Sequence, residues 1–298
     1  MNFRTDLALE MRESVPQAEI DGISSEEITI GKVKVTRIKV LNERGGQVIE
    51  KKPGDYITVE VPPFSGNAEE FDERLTVLSK EISNLLPNDG LILVAGLGNE
   101  TITPDALGPK VAEKILATRH IAGEVASAIG LDGLRSVAAI APGVLGQTGI
   151  ETGELIAGVC DKVKPAAVIV IDALASRQLS RLGRTVQITD TGISPGSGVN
   201  NRRMEISGET LGVPVVAIGV PTIVDAATLA ADLVEKSTGS SEQGDSLRRV
   251  VEPDGAAMMV TPREIDLLID RAASLISLSI NSCLHKNLSP EDIISLVS

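Results

Sequence analysis

Tryptophan is absent from this 298-residue chain, which holds only three Phe and one Tyr. A surface that stacks unpaired bases needs aromatic platforms, so that kind of nucleic-acid binder is excluded. The core has to be built from Val, Ile, Leu and Ala instead. Cysteine is as scarce: Cys160 and Cys283 stand far apart without metal-type spacing. A disulfide framework and a thiolate zinc site are both unexpected, and the two residues read as buried small hydrophobes. The histidines, His120 and His285, form no H-E-x-x-H, which removes the zincins. The Ser-centred G-x-S-x-G elbow of serine hydrolases is not expected either. Met1–Glu10 has no apolar h-region, so no signal peptide is read there. No unbroken apolar run approaches the ~20 residues of a membrane span, and the protein is expected in the cytoplasm. Positive charge is in deficit. A formal net charge of -13 repels DNA and anionic membranes. If such a chain acted on a DNA-bound protein, it would engage the protein and not the nucleic acid.

What the chain does have is apolar patterning. Hydrophobic residues make up 42% and charged residues 23%, which rules out wholesale disorder. Up to about Asn88 the texture is charged and irregular. Val33–Val40 and Tyr56–Val61 alternate like half-buried strands, and Glu69–Leu86 reads as an amphipathic helix. From Leu91 the texture changes. Short continuous apolar runs appear at Leu91–Ala95, Val137–Ile140, Ala167–Ile171, Val186–Ile188 and Val215–Ile218. Helical patterns lie between several of them, at Pro109–Arg119, Thr152–Val163 and Ala226–Glu235. Apolar strands alternating with helices imply an α/β fold: a mostly parallel central sheet in three α/β/α layers. The β-containing residues 7–88 are then an N-terminal extension packed on a core of residues 89–298. Ser237–Asp245 reads as a polar loop. Thr261-Pro262 reads as the N-cap and first residue of a helix running to about Ser279, and Ser289-Pro290 starts another.

In an open parallel sheet, ligands bind beyond the carboxyl ends of the strands. Two aspartates fall there. Asp105 lies in the loop after the first central strand, and Asp172 directly follows Ala167–Ile171. Paired carboxylates repel each other, so one stays protonated while the other ionises. Together they can activate a water and protonate a leaving group. From the residues alone the plainer reading is that Asp105 caps the helix beginning at Leu107 and Asp172 caps a turn. The same pair could also hold a metal ion through oxygen ligands. Three further strings compete. Asp190-Thr191-Gly192 copies a tripeptide of pepsin-like proteases, which needs a two-lobed β-fold; here it reads as a strand exit. Gly96-Leu97-Gly98 lacks the third glycine of a dinucleotide loop. Pro195-Gly196-Ser197-Gly198 with Arg202-Arg203 could form an anion nest, or a plain surface turn.

An ordered set of motifs resembles the germination protease family of bacterial spores. It comprises Val94–Asn99 with Thr103–Pro109, Pro142-Gly143-Val144 with Thr148–Thr152, and Ile171–Ala175. Ile193–Val199, Gly219–Ala226 and Met259–Glu264 complete it. The resemblance covers roughly residues 91–270; residues 11–88 match loosely. It implies an endopeptidase that degrades the small acid-soluble proteins coating spore DNA during germination. The fold should be similar to the hydrogenase-maturation peptidases, and the assembly a homotetramer in the spore core. No cofactor, nucleic acid or membrane partner is implied, and metal dependence stays open. Asp105 and Asp172 match the family's proposed catalytic pair. The family removes its own prosegment at a site like that in the substrate: acid, hydrophobic residue, Ala, any residue, acid. Asp6-Leu7-Ala8-Leu9-Glu10 fits, so residues 1–6 are expected to be a prosegment cut between Asp6 and Leu7. Acids flanking the cut should meet local positive charge. Arg177, Arg181, Arg184, Arg202 and Arg203 cluster after Asp172, with Arg202 and Arg203 beside the Gly-rich turn as the expected substrate-binding pair. The rival readings are a hydrogenase-maturation-type peptidase, which recognises a nickel centre partly through a histidine, and a nucleotide-binding α/β protein.

Overall fold

Side chains that alternate between the two faces of the buried central strands determine the layers. The computed structural model describes residues 5–16, 21–64, 73–121, 133–196, 203–238, 250–251 and 257–297. The elements in chain order are α1 (Ala8–Glu13), β1 (Ile23–Ile30), β2 (Val33–Val40), α2 (Glu43–Ile49), β3 (Gly54–Glu60), α3 (Glu73–Leu85), β4 (Ile92–Gly96) and α4 (Leu107–Glu113). There follow β5 (Val137–Ile140), α5 (Leu145–Thr148), α6 (Thr152–Val163), β6 (Ala167–Ser176), β7 (Thr185–Thr189), α7 (Gly208–Leu211) and β8 (Val215–Asp225). Last come α8 (Ala226–Thr238), β9 (Met259–Val260), α9 (Ile265–Leu284) and α10 (Pro290–Val297).

Among the described residues the strands form one sheet in the order β1-β2-β3-β7-β8-β6-β4-β5, with β9 also pairing β8. The pairs β5/β4, β4/β6 and β6/β8 are parallel. Ile92, Val94, Ile169 and Ile171 point into a core shared with α3, α4 and α9. Their neighbours Leu93, Ala95, Val168 and Val170 point into a second core with Ile156 and Cys160 of α6. Burial on both faces explains why these strands read as unbroken apolar runs. The fold is α/β, with helices on both sides of the sheet. Cys283 packs into the first core as Cys160 does into the second. By length and composition α9 could cross a membrane, but 72% of that stretch is buried inside the molecule.

From β7 outward the sheet is antiparallel, through β3 and β2 to β1. Val186–Ile188 is no continuous apolar run, since Gln187 stands between Val186 and Ile188; β7 is buried throughout and runs the other way. Residues 23–60 therefore extend the same sheet as the core. Arg37 on β2 reinforces the join with a two-pronged ion pair to the buried Glu81 of α3, at 3.1 and 2.6 Å.

Several expected boundaries move. β6 continues past Ile171 to Ser176 because β8 also runs on to Asp225 and keeps supplying partners, with a bulge at Leu174/Ala175. Asp172 therefore sits inside a strand opposite Gly219, not after one. α4 starts at Leu107 and ends at Glu113. Asn281 of α9 halts it by bonding the Leu116 N–H and the Lys114 carbonyl, at 3.0 and 2.9 Å. Thr261 does not cap α9. Its hydroxyl donates to the Thr222 carbonyl at 2.9 Å, and the helix begins at Ile265 and runs to Leu284. Most of the expected loop at Ser237–Asp245 lies outside the described residues.

Candidate active site

Glycine brings the first aspartate to the sheet. After β4 the chain turns at Gly98, whose φ of +111° suits a residue without a Cβ. A 3-10 turn over Thr103–Asp105 follows, tethered to β8 where the Thr222 hydroxyl donates to the Pro104 carbonyl at 2.8 Å. Gly108 then lets the first turn of α4 lie on the strand ends. A Cβ there would fall on the Leu97 carbonyl oxygen and 2.6 Å from that of Ile171. Asp105 caps nothing: Ala106 is the N-cap residue of α4 and makes no side-chain cap bond. The Asp105 carboxylate instead accepts the Asn99 N–H at 2.8 Å. Burial raises its pKa, and the Asn99 bond partly offsets that.

Asp172 is 7% exposed and takes one hydrogen bond, from its neighbour Ala173 N–H at 2.9 Å. Burial pushes its carboxyl well above the ordinary carboxylate range, and the charges of Asp105 and Asp6 push it the same way. The charge of Asp105 thus bears on Asp172, and that of a third aspartate joins it from the N-terminus.

That third residue belongs to a segment lodged along β6 and β7. The Asp6 N–H donates to the Ala175 carbonyl at 2.9 Å, and its carboxylate accepts the Ala175 N–H at 2.8 Å. The Asp6 carbonyl accepts from Lys51 Nζ at 2.9 Å and Gln187 Nε2 at 3.1 Å. Gln187 Oε1 in turn accepts the Ala8 N–H at 2.6 Å. Leu7 and Ala8 are wholly buried. Glu10, 3% exposed, accepts the Arg177 and Gln178 N–H groups at 2.7 and 3.0 Å and lies 3.5 Å from the Arg181 guanidinium. Burial still raises the Glu10 carboxyl against these partners. Arg181 also pairs with Glu13 and Glu60, at 2.7 and 2.8 Å.

The other expected residues sit elsewhere. Arg203 lies 3.7 Å from Glu151, and Arg202 is outside the described residues. Asp190 follows β7 and accepts the Asp55 N–H at 2.8 Å, a strand exit. The string G-x-S-x-G is present after all, at Gly192-Ile193-Ser194-Pro195-Gly196. It is no elbow: it leaves an antiparallel strand, and Ile193 bridges Ile206. His285 is buried with Nε2 3.3 Å from the Leu116 carbonyl, and burial lowers its pKa. Among the described residues no three His, Cys, Asp or Glu side chains converge to hold a metal ion. A cleft lined by Pro63, Leu179, Gly183, Thr261 and Leu268 includes neither aspartate.

Lys51, Gln187 and Arg181 were the residues that sequence reading missed or undervalued. Their partners lie 45, 181 and 171 positions away, so no local spacing marks them. The one available signal was the match of residues 6–10 to a cleavage site.

A family model described as germination protease matches residues 4–240. The chain belongs to the germination protease family. The germination protease of Caldanaerobacter subterraneus subsp. tengcongensis is 46% identical over all of this chain and 98% of its own. That of Clostridium tetani is 44% identical over the whole of both chains, and that of Bacillus subtilis 38% over 97% and 95%. Among solved structures, the [NiFe] hydrogenase maturation protease HycI of Thermococcus kodakarensis aligns with 67% of this chain and 98% of its own. Its identity is 17% and its TM-score 0.37. As a germination protease the chain is a peptidase, a hydrolase of peptide bonds.

Proposed function

We propose that this germination protease is an endopeptidase made as a zymogen. It removes its first six residues by cutting between Asp6 and Leu7. It then initiates degradation of small acid-soluble DNA-protecting spore proteins in the spore core, as a homotetramer. Asp105 and Asp172 form its acid–base pair. The observation that carries the reading is the seating of residues 6–10 beside Asp172. Asp6 pairs with β6, Leu7 and Ala8 are wholly buried, and Glu10 is held by two backbone amides and Arg181. Those four are the positions that define the expected cleavage site.

The electrostatics support a division of labour. Asp172, pushed up by burial and two neighbouring carboxylates, is the group that keeps its proton. Asp105, raised by burial but steadied by the Asn99 amide, is the one that ionises. Asp105 takes a proton from water as the water oxygen bonds to the Asp6 carbonyl carbon. The resulting tetrahedral centre collapses, the C–N bond to Leu7 breaks, and the Leu7 nitrogen takes the proton of Asp172. In the substrate, Arg181 is assigned to the downstream acid, and Arg202 and Arg203 to acids outside this stretch.

Cleavage of an acid-hydrophobic-Ala-x-acid peptide tests the pair. Asp105→Asn and Asp172→Asn should fold normally and lose at least ~100-fold in kcat, while a chelator leaves the wild type unaffected. Variants that still cut would move the site elsewhere. Loss of wild-type activity with chelator would make the aspartates metal ligands.

A further inference from the structure

The Asp6–Leu7 peptide is gripped from both sides by residues that the carboxylate pair leaves out of account. Gln187 stands on β7 with its side chain spanning the bond. Its amide nitrogen donates to the Asp6 carbonyl at 3.1 Å, and its amide oxygen accepts the Ala8 N–H at 2.6 Å. Lys51 reaches the same carbonyl from the other partner element, at 2.9 Å. Its backbone is set by the end of α2, where the Lys51 N–H donates to the Gly46 carbonyl at 3.0 Å. Two independent elements, a central strand and a helix exit, thus bring one neutral and one ionisable donor to a single carbonyl oxygen.

We infer that Gln187 and Lys51 are the oxyanion donors of this protease. The inference rests on the reading that Asp6–Leu7 is a bond the enzyme cuts. When water adds to the Asp6 carbonyl carbon, the C=O electron pair moves onto oxygen. That oxygen then carries a negative charge directly between Gln187 Nε2 and Lys51 Nζ. A hydrogen bond to an ionised acceptor is roughly twice as strong as one to a neutral carbonyl. Donors fixed before the reaction therefore lower the barrier more than they tighten the resting complex. Lys51 is half-buried; burial lowers its pKa, and the charges of Asp6 and Glu50 work against that lowering. The opposite contact of Gln187, on Ala8, fixes the register, so that the carbonyl two residues upstream is the one presented. This gives the site a backbone reason for being cut immediately before the Leu–Ala pair.

The alternative is that both side chains merely anchor the N-terminal segment, and the test separates the two. Full-length wild type, Gln187→Glu, Gln187→Met, Lys51→Met and the control Asp172→Asn are incubated, and the first-order conversion to a chain starting at Leu7 is followed by intact mass. Gln187→Glu keeps the acceptor for Ala8, and Gln187→Met beside it removes the donor without adding a carboxylate charge; Lys51→Met keeps the aliphatic stem. Amide exchange of residues 9–13 reports docking in each protein. With docking intact, each donor variant should slow conversion by about 100- to 1,000-fold. With processed wild type as reference, co-expressed-and-trimmed variants should lose the same factor in kcat on an acid-hydrophobic-Ala-x-acid peptide, with KM little changed. Variants that convert at the wild-type rate while Asp172→Asn is inert would overturn the oxyanion role alone. Loosened docking and raised KM at unchanged kcat would reduce both residues to anchors and overturn it as well. A wild type that never yields a chain starting at Leu7 would remove the cleavage reading and this inference with it.

Discussion

Burial, Asp105 and Asp6 all push the Asp172 carboxyl in one direction. At the scale of the residue this has a thermodynamic consequence. A carboxyl raised in the folded state contributes stability that is present below its unfolded pKa and lost as pH rises through the folded value. Asparagine at position 172 carries no such dependence. Asp172→Asn is therefore expected to be more stable than wild type at neutral pH, with the gap closing as pH falls from the raised folded value down to the ordinary carboxylate range. Urea denaturation at pH 7 and pH 4 checks this; a variant equally stable relative to wild type at both would contradict it. Activity should follow the same logic. A bell-shaped kcat profile is expected, with its basic limb set by Asp172 losing its proton. Asp105 and Asp172 were singled out by their place at the strand ends and by the resemblance to germination proteases, since from the residues alone capping was the plainer reading; Asp105 in fact caps no helix. Lys51 and Gln187 were not, because a lysine near a helix end and a glutamine in a strand look like ordinary surface residues until the fold brings Asp6 to them.

At the scale of the element, the site depends on how closely α4 approaches the strand ends. Gly108 is the residue that permits it, since a Cβ would meet the Leu97 and Ile171 carbonyls. Gly108→Ala is expected to cost about 1–3 kcal/mol, as overpacking generally does, and to lower kcat by displacing Asp105. Thermal unfolding and peptide cleavage measured together test it; a variant with wild-type Tm and kcat would show that the approach is slack. The apolar runs marked β4, β6 and β8 because full burial selects Val, Ile and Leu in their first halves, and they also located β5 and β7, although β5 is mostly half-buried and β7 carries Gln187 and two Thr. Periodicity could not show that β7 runs antiparallel, since burial on both faces erases direction. Nor could it show that β6 continues through Asp172, since Asp, Ala and Ser weaken the strand signal while pairing with β8 maintains the strand. β1, with most of its residues exposed, carries an Ile-Ser-Ser-Glu-Glu-Ile-Thr-Ile sequence that lacks a buried face to announce it.

At the scale of the whole molecule, the N-terminus and the sheet form one object. A chain of net charge -13 packs an acidic segment of its own along β6 and β7, and buries Glu10 among backbone amides and Arg181. On the proposed zymogen reading, peptide would reach Asp105 and Asp172 only after the first residues had been severed and displaced. Local complementarity offsets the unfavourable overall charge, which no count of acidic and basic residues could have located. The most direct measurement is the intact mass and N-terminal sequence of purified full-length protein held under mildly acidic conditions. The expected result is conversion of wild type to a chain beginning at Leu7 and no conversion of Asp172→Asn. A wild-type chain that keeps its first six residues, or an Asp172→Asn chain that loses them at the same rate, would contradict the account.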